Sequence, residues 1–407
     1  MDYENDLVTI IVPCFNGEKY VHRFFESLIK QTYKYIQLIF VNDGSVDGTR
    51  EVFNIYDYLM RQAGIKTVYI EQINQGQAAA INSALPYVCG EFLMWMDSDD
   101  ILLCNHIETK VNLLRGNANS IVMCKGIIVE EKQIEIPIGE ISNCEIKERL
   151  FEKLYWGLCG CTGALFMVHT RDFFSEFQQK KIITSRVGQN LQILLPLLTK
   201  YSVGTINEKL FIYVNRDDSH SHSFKTYQER FNRIKDIEEL KVSILKSIKD
   251  RFCESYYQQL NSVLRKIDLV QKLELLNEAL DLPVEITKEI INEYRFYIND
   301  KKSRFWIWGA CKKNEILAKG LEMYGNLNIS GYIDSDDKKQ GENVIAPSHV
   351  FDENDYLIIP LAYHGEIVSL LDERGMKSSV DYLYLAYDIK RGIEHDEESR
   401  NSNFPLC

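Results

Sequence analysis

Four apolar runs in the first hundred residues constrain the fold more than any other feature. LVTIIVPCF (7–15), IQLIFVND (36–43), KTVYIEQ (66–72) and EFLMWMD (91–97) are rich in apolar and β-branched residues over nearly their whole length. Strands buried on both faces have that composition. Between them lie YVHRFFESLIKQT (20–32), GSVDGTREVFNIYDYLMRQAG (44–64) and GQAAAINSALPYV (76–88), with apolar or small residues at helical spacing. Such alternation predicts an α/β fold with a mostly parallel sheet covered on both sides. From 225 to 302 the chain is charged and helical, with few Gly, Pro or Ser, which predicts a helical connector. Strand patterns return at 303 in RFWIWGA, NISGYIDSD, DYLIIP and VDYLYLA, predicting a small Rossmann-like α/β unit to residue 388 and a polar tail over 389–407. The expected organisation is therefore 1–224, 225–302, 303–388 and 389–407, in keeping with a chain of 407 residues, too long for one ordinary core.

Composition narrows the partners. A net charge of −12 argues against nucleic acid, which calls for a basic surface. It leaves room for a phosphate-bearing ligand if a divalent cation brings the local positive charge. The ten cysteines form no framework, and the one tight pair, Cys159-Gly160-Cys161, has neither zinc-site nor redox-motif spacing. Together with the acidic start MDYENDLVT, this predicts a cytoplasmic protein with reduced thiols. No apolar run reaches the roughly 18 residues of a membrane span, so membrane contact is expected to be peripheral at most, at the inner face. Homo-oligomerisation is left open.

The tetrad Asp-Ser-Asp-Asp occurs twice, at 97–100 and 334–337, each time behind an apolar run. Ligands of open parallel sheets bind beyond the carboxyl ends of the strands. Four such ends in the first hundred residues carry polar groups: PCFNGE (13–18), VNDGS (41–45), QINQGQ (72–77) and DSDD (97–100). Asp97 and Asp99 alternate along extended backbone, so both carboxylates can face one ligand, an arrangement suited to Mg²⁺ or Mn²⁺ bridging a diphosphate. The second tetrad is followed by KKQG and has no other acids converging on it, which predicts a vestigial or purely interacting role.

These motifs, TIIVPCFNGEKYV, IFVNDGSVDGT, NQGQAAAINSAL and FLMWMDSDDIL, resemble the nucleotide-binding half of family 2 glycosyltransferases, which have the GT-A fold and invert the anomeric centre. The resemblance runs from about residue 7 to 220. It implies that Asp43 reads the nucleobase, that Phe15 packs on the base, and that Pro13 and Glu18 shape the loop. It implies that Asp97 and Asp99 hold ribose and metal, with Asp100 beside Asp99 at the catalytic centre. Asn74, Gln77 and Asn82 fall where the family contacts sugar or diphosphate, whereas the family's usual Arg before that Asn is Ile81 here. Arg216 and Ser219 match a segment that closes on the diphosphate, with His220 beside them and His222 as a further metal ligand. Trp156 is placed at an acceptor-side wall, to stack on a sugar. The implied cofactor is Mn²⁺ or Mg²⁺, the donor a nucleotide-sugar, most often a UDP-sugar, and the acceptor a glycan, glycolipid or glycoprotein.

The family's acid pair at the head of an acceptor-side helix reads Gln189-Asn190 here, and an amide cannot take a proton from a hydroxyl at neutral pH. The base lies elsewhere (Asp172, Glu176, Asp217 and Asp218 are nearby in sequence), the acceptor is already ionised, or the registration differs. Two other readings stand beside the metal-dependent transferase of surface polysaccharide or glycoconjugate synthesis. One is a non-catalytic nucleotide-sugar scaffold, and the other a bifunctional protein whose C-terminal module also binds a nucleotide.

Overall fold

The computed structural model describes residues 3–116, 119–178, 181–182, 185–217, 224–278, 282–341, 343–360 and 365–400. The chain forms two compact units, Met1–Ser223 with Ser243–Ile248, and Phe224–Val242 with Lys249–Cys407.

The first unit opens with strictly alternating strands and helices: β1 (Glu4–Cys14), α1 (Val21–Ile29), β2 (Ile36–Asn42), α2 (Thr49–Gln62), β3 (Lys66–Glu71), α3 (Gln77–Ala84) and β4 (Gly90–Trp95). There follow β5 (Ile101–Leu102), α4 (His106–Gly116), β6 (Ile121–Glu130), β7 (Pro137–Ile141), α5 (Leu150–Trp156), β8 (Phe166–His169), α6 (Thr170–Glu176), α7 (Gln189–Leu198) and β9 (Val203–Asn215). Among the described residues the strands make one sheet in the order β3-β2-β1-β4-β8-β6-β9-β5, with β7 on β6. The four leading strands are mutually parallel, while β8 runs antiparallel to both β4 and β6. Every residue of β2 is buried, and β1 is buried from Leu7 to Cys14. That two-sided cover is why their sequences are apolar runs with no alternation. Phe24, Phe25 and Leu28 of α1 face the sheet, and the Phe25 ring lies 5.3 Å from that of Phe40 on β2. Each ring so buried contributes about 1.5–3 kcal/mol. This mostly parallel architecture has the consequence expected from the sequence: the carboxyl ends of β1 to β4 lie side by side.

The second unit contains α8 (Tyr227–Ser247, its last turn falling in the first unit), α9 (Glu254–Glu278), α10 (Val284–Arg295), β10 (Arg304–Trp308), α11 (Lys312–Met323), β11 (Ile329–Ile333), β12 (Val344–Ile345), β13 (Asp355–Ile358), α12 (Gly365–Glu373), β14 (Tyr382–Leu383) and α13 (Leu385–Arg400). Its sheet, in the order β12-β11-β10-β13-β14, is parallel throughout, a doubly wound order. The helices set apart above as a connector share one apolar core with this sheet. Phe231, Leu269, Ile290 and Tyr294 pack with Phe305, Ile307, Tyr356 and Ile358. Helical periodicity is local and visible in sequence, but which surface covers an apolar face is not. Likewise α13 continues to Arg400, into the stretch expected as tail. No helix among the described residues is long and apolar enough to cross a membrane.

Between α8, α9 and α10 sits a buried charged cluster. The Lys272 ammonium, almost fully buried, bonds Glu238 at 3.0 Å and Glu293 at 2.8 Å. Asp268 lies next to it, buried, with one carboxylate oxygen lacking a hydrogen-bond partner. Burial pushes its pKa up to about 7, against the downward pull of Lys241. A folded-state pKa above the unfolded value adds stability at low pH that is lost as the pH rises through the folded value. Replacing Asp268 with Asn is therefore expected to help more at pH 8 than at pH 5, by about 2 kcal/mol. Urea unfolding of both proteins at the two pH values measures this, and an equal effect at both would refute it.

Candidate active site

The loops leaving β1 and β2 are tied together by side-chain–backbone hydrogen bonds, because neither loop has regular structure to satisfy its own amides. The Asn16 N–H donates to Ser45 Oγ (2.9 Å), and the Val46 N–H to Asn16 Oδ1 (2.9 Å). The Gly17 N–H donates to Thr49 Oγ1 (2.7 Å), the Glu18 N–H to Asp47 Oδ2 (3.1 Å) and the Gly48 N–H to Glu18 Oε2 (3.0 Å). Pro13 is buried at the end of β1, whereas Phe15 projects, 46% exposed. Gly44, at φ +75°, brings the β2 and β3 loops together, since a Cβ there would stand 2.6 Å from the Asn74 nitrogen. Ser45, Glu71, Gln72, Ile73 and Asn74 line the open cleft this creates, about 640 Å³ in volume.

Asp43 is buried at the floor of these loops. Its Oδ1 accepts from Gln72 Nε2 (2.7 Å) and the Gln75 N–H (2.9 Å), and its Oδ2 from the Gly76 N–H (2.8 Å). Gln72 in turn accepts from Ser83 Oγ at 2.5 Å. A carboxylate with three donors fixes the loop between β3 and α3 and retains lone pairs for a ligand.

The first tetrad ends β4. Gln77 Nε2 donates to Asp97 Oδ1 at 3.0 Å, and Thr162 Oγ1 stands 3.4 Å from Asp97 Oδ2. Arg216, largely buried just past β9, directs both Nε (2.9 Å) and Nη2 (2.8 Å) to Asp99 Oδ2. Its guanidinium lies 3.9 Å from the centre of the Tyr20 ring, whose hydroxyl donates to the Phe15 carbonyl at 3.2 Å. Asp100 is wholly buried beside the Val214 backbone, and among the described residues neither carboxylate oxygen makes a well-formed hydrogen bond. Burial, and then the charges of Asp99 and Asp97, push its pKa well above the usual carboxylate range. Burial and Asp99 also push Asp97 upward. Among the described residues no group of three or more His, Cys, Asp or Glu is arranged to hold a metal alone. Two hard-oxygen side chains beside an unsatisfied buried carboxyl do fit a divalent cation that takes its other ligands from phosphate and water.

Other candidates have different surroundings. Asn82 pairs with the backbone of Ile182, donating to its carbonyl (3.1 Å) and accepting from its N–H (2.8 Å). Asn190 is buried at the head of α7. Its Oδ1 accepts from Trp95 Nε1 (2.8 Å) and its Nδ2 donates to the Cys161 carbonyl (3.0 Å). Trp156 is fully buried in α5, so the expectation that it stacks on an acceptor sugar is corrected: its faces belong to the core. Ser219, His220, His222 and Asp218 lie outside the described residues. Asp172 and Glu176 are on α6, and exposed Asp217 pairs with Lys132 at 2.8 Å. Tyr20, Gln72 and Thr162 were missed in the sequence because residues that act through a neighbour carry no motif of their own.

The second tetrad is a closed turn. Asp334 accepts from the Ala310 N–H (2.9 Å), the Asp336 N–H (2.9 Å) and Lys339 Nζ (3.1 Å), and Asp336 caps the Lys338 N–H (3.0 Å). Its hydrogen-bonding capacity is turned on its own loop and on the Ala310 N–H just past β10.

The first unit is thus a mostly parallel α/β sheet whose leading strand ends carry acids among loops tied together by side-chain hydrogen bonds. Residues 9–174, all within the first unit, match the family described as glycosyl transferase family 2. An uncharacterized glycosyltransferase of Rickettsia typhi is 33% identical over 162 residues, covering 38% of this chain and 49% of that protein. Glycosyltransferase GlyA of Streptococcus pneumoniae is 37% identical over 105 residues, covering 26% of this chain and 14% of that protein. The match thus spans about half the length of the former and much less of the latter. Among solved structures, S. aureus TarS 1–349 in complex with UDP-GlcNAc has a TM-score of 0.53 at 15% identity, covering 71% of this chain and 80% of that one. At that identity the likeness speaks for the fold.

The two-ended use of the Asn190 amide has a measurable consequence. Asn190→Asp keeps an acceptor for Trp95 but leaves the Cys161 carbonyl without its donor and buries a charge. It is expected to destabilise the first unit by about 1–3 kcal/mol. Chemical denaturation tests this, and wild-type stability would overturn the bracing role.

Proposed function

We propose that the first unit transfers a sugar from a nucleotide-sugar, expected from the family resemblance to be a UDP-sugar, to a hydroxyl of a glycan or glycoconjugate acceptor, with inversion. The observation that supports this reading is the placement of Asp43 after β2 and of Asp97, Asp99 and Asp100 after β4, carboxyl ends of parallel strands on the same edge of one sheet. In this reading Asp43 accepts a hydrogen bond from the nucleobase, and exposed Phe15 packs on its face. Asp97 and the free Oδ1 of Asp99 hold Mn²⁺ or Mg²⁺. The cation, when bound, neutralises charge on the departing nucleoside diphosphate. Burial of Asp100 disfavours its charged form, which lessens its repulsion toward the diphosphate. Arg216 holds Asp99 in place from the protein side.

A second reading, nucleotide-sugar binding without transfer, draws support from Asn190. Its amide is committed to Trp95 and Cys161, so it is not a general base, and a transferase must take its base from another residue or use an ionised acceptor. Donor hydrolysis with UDP- and GDP-sugars, with and without Mn²⁺, separates the two readings, because a scaffold binds but releases no sugar.

Asp99→Asn is expected to abolish Mn²⁺-dependent hydrolysis, while Asp336→Asn in the second tetrad leaves it near wild type. Equal loss in both variants would sink the assignment of the metal to the first copy. Asp43→Ala is expected to weaken nucleoside-diphosphate binding about tenfold or more, the loss of a charge-assisted hydrogen bond. Calorimetric titration measures it, and unchanged affinity would place base recognition elsewhere.

A further inference from the structure

A nucleoside diphosphate brings two or more negative charges into a crevice already lined by carboxylates. On the protein side Arg216 is directed at Asp99. The structure offers a second cation. The segment before α7 crosses the loop between β3 and α3, and the stem of Arg186 lies against Gly76, with its Cγ 3.6 Å and its Cα 3.9 Å from where a Cβ of that glycine would be. Gly76 is a telling neighbour. Its N–H holds Asp43, and the next residue, Gln77, holds Asp97. A group resting on Gly76 therefore stands between the acid proposed to read the base and the acid proposed to hold the metal. A diphosphate must span the same interval.

Local structure fixes the position of Arg186 while leaving its charge available. Buried Gln192 on α7 donates from Nε2 to the Val187 carbonyl (2.9 Å) and the Ser185 carbonyl (3.3 Å), gripping the backbone on both sides of Arg186. A few residues earlier, the paired hydrogen bonds between Asn82 and Ile182 pin the same segment to α3. Arg186 itself is exposed and makes no ion pair or hydrogen bond among the described residues. An arginine held at the backbone by buried amides, with a free fork of donors, is pre-organised for phosphate oxygens.

We propose that Arg186 is a donor-binding residue whose guanidinium contacts the diphosphate of the nucleotide-sugar across Gly76. The inference rests on the nucleotide-sugar reading above and adds a residue to it. It also accounts for two amides, Asn82 and Gln192, as positioning residues for Arg186.

The test compares binding of UDP with uridine, and of GDP with guanosine, to the full chain in Mn²⁺ and in EDTA. Wild type is expected to bind one nucleoside diphosphate more tightly than its nucleoside. Arg186→Ala should shrink that ratio about tenfold or more, the scale of one charge-assisted hydrogen bond. Nucleoside affinity and the thermal unfolding midpoint should stay unchanged, and Arg186→Lys should restore part of the ratio. An unaltered ratio in Arg186→Ala, or equal loss of nucleoside and diphosphate, would overturn the assignment. Wild-type protein that binds neither diphosphate overturns the nucleotide-sugar reading itself, and this inference with it.

Discussion

Asp97, Asp99 and Asp100 crowd together at the end of β4 and repel one another, with Asp43 at the end of β2 on the same edge of the sheet. Two like charges about 4 Å apart cost roughly 4 kcal/mol at an effective dielectric of 20. Each acid meets the problem differently. Asp43 is surrounded by N–H donors from Gln72, Gln75 and Gly76. Asp99 is matched by the Arg216 guanidinium, itself laid on the Tyr20 ring. Asp97 takes one hydrogen bond from Gln77. Asp100 is wholly buried, which, with the charges of Asp99 and Asp97, pushes its pKa well above the usual carboxylate range.

Side-chain amides supply much of the rigidity around these acids. Gln72, Asn82 and Asn190 each tie together segments distant along the chain, by side-chain hydrogen bonds in both directions. An amide can donate and accept at once, so one side chain satisfies an orphan carbonyl and an orphan donor together. A carboxylate at 190 would answer Trp95 but not Cys161. The Asn190 amide thereby braces α7 against β4 and the loop before β8. The second unit solves its internal charge differently, with Lys272 between two glutamates and Asp268 raised by burial.

The alternation of apolar strands and helices was legible from residue 7 onward, because strands buried on both faces leave a run with no alternation and hydrogen bonding within each element is local. The strand-end acids were legible too, since parallel connectivity brings carboxyl ends to one edge. The sequence by itself thus determined the four parallel strands that open the sheet and the row of polar residues along their rim, but not the five later strands or the antiparallel pairings among them. Tertiary structure alone decided which rim residues are open and which are already engaged. Asn82 and Asn190 look like ligand contacts in a motif but are tied to Ile182, Trp95 and Cys161, partners up to 100 positions away. Trp156 looks like a stacking platform and is core, and the second Asp-Ser-Asp-Asp, identical in letters to the first, closes on its own turn. Likewise the helices between the two sheets announced their period but not the surface that buries them. A hydrogen-bond partner or a covering face is set by what the fold brings near, and residues distant along the chain leave no periodic trace of that meeting.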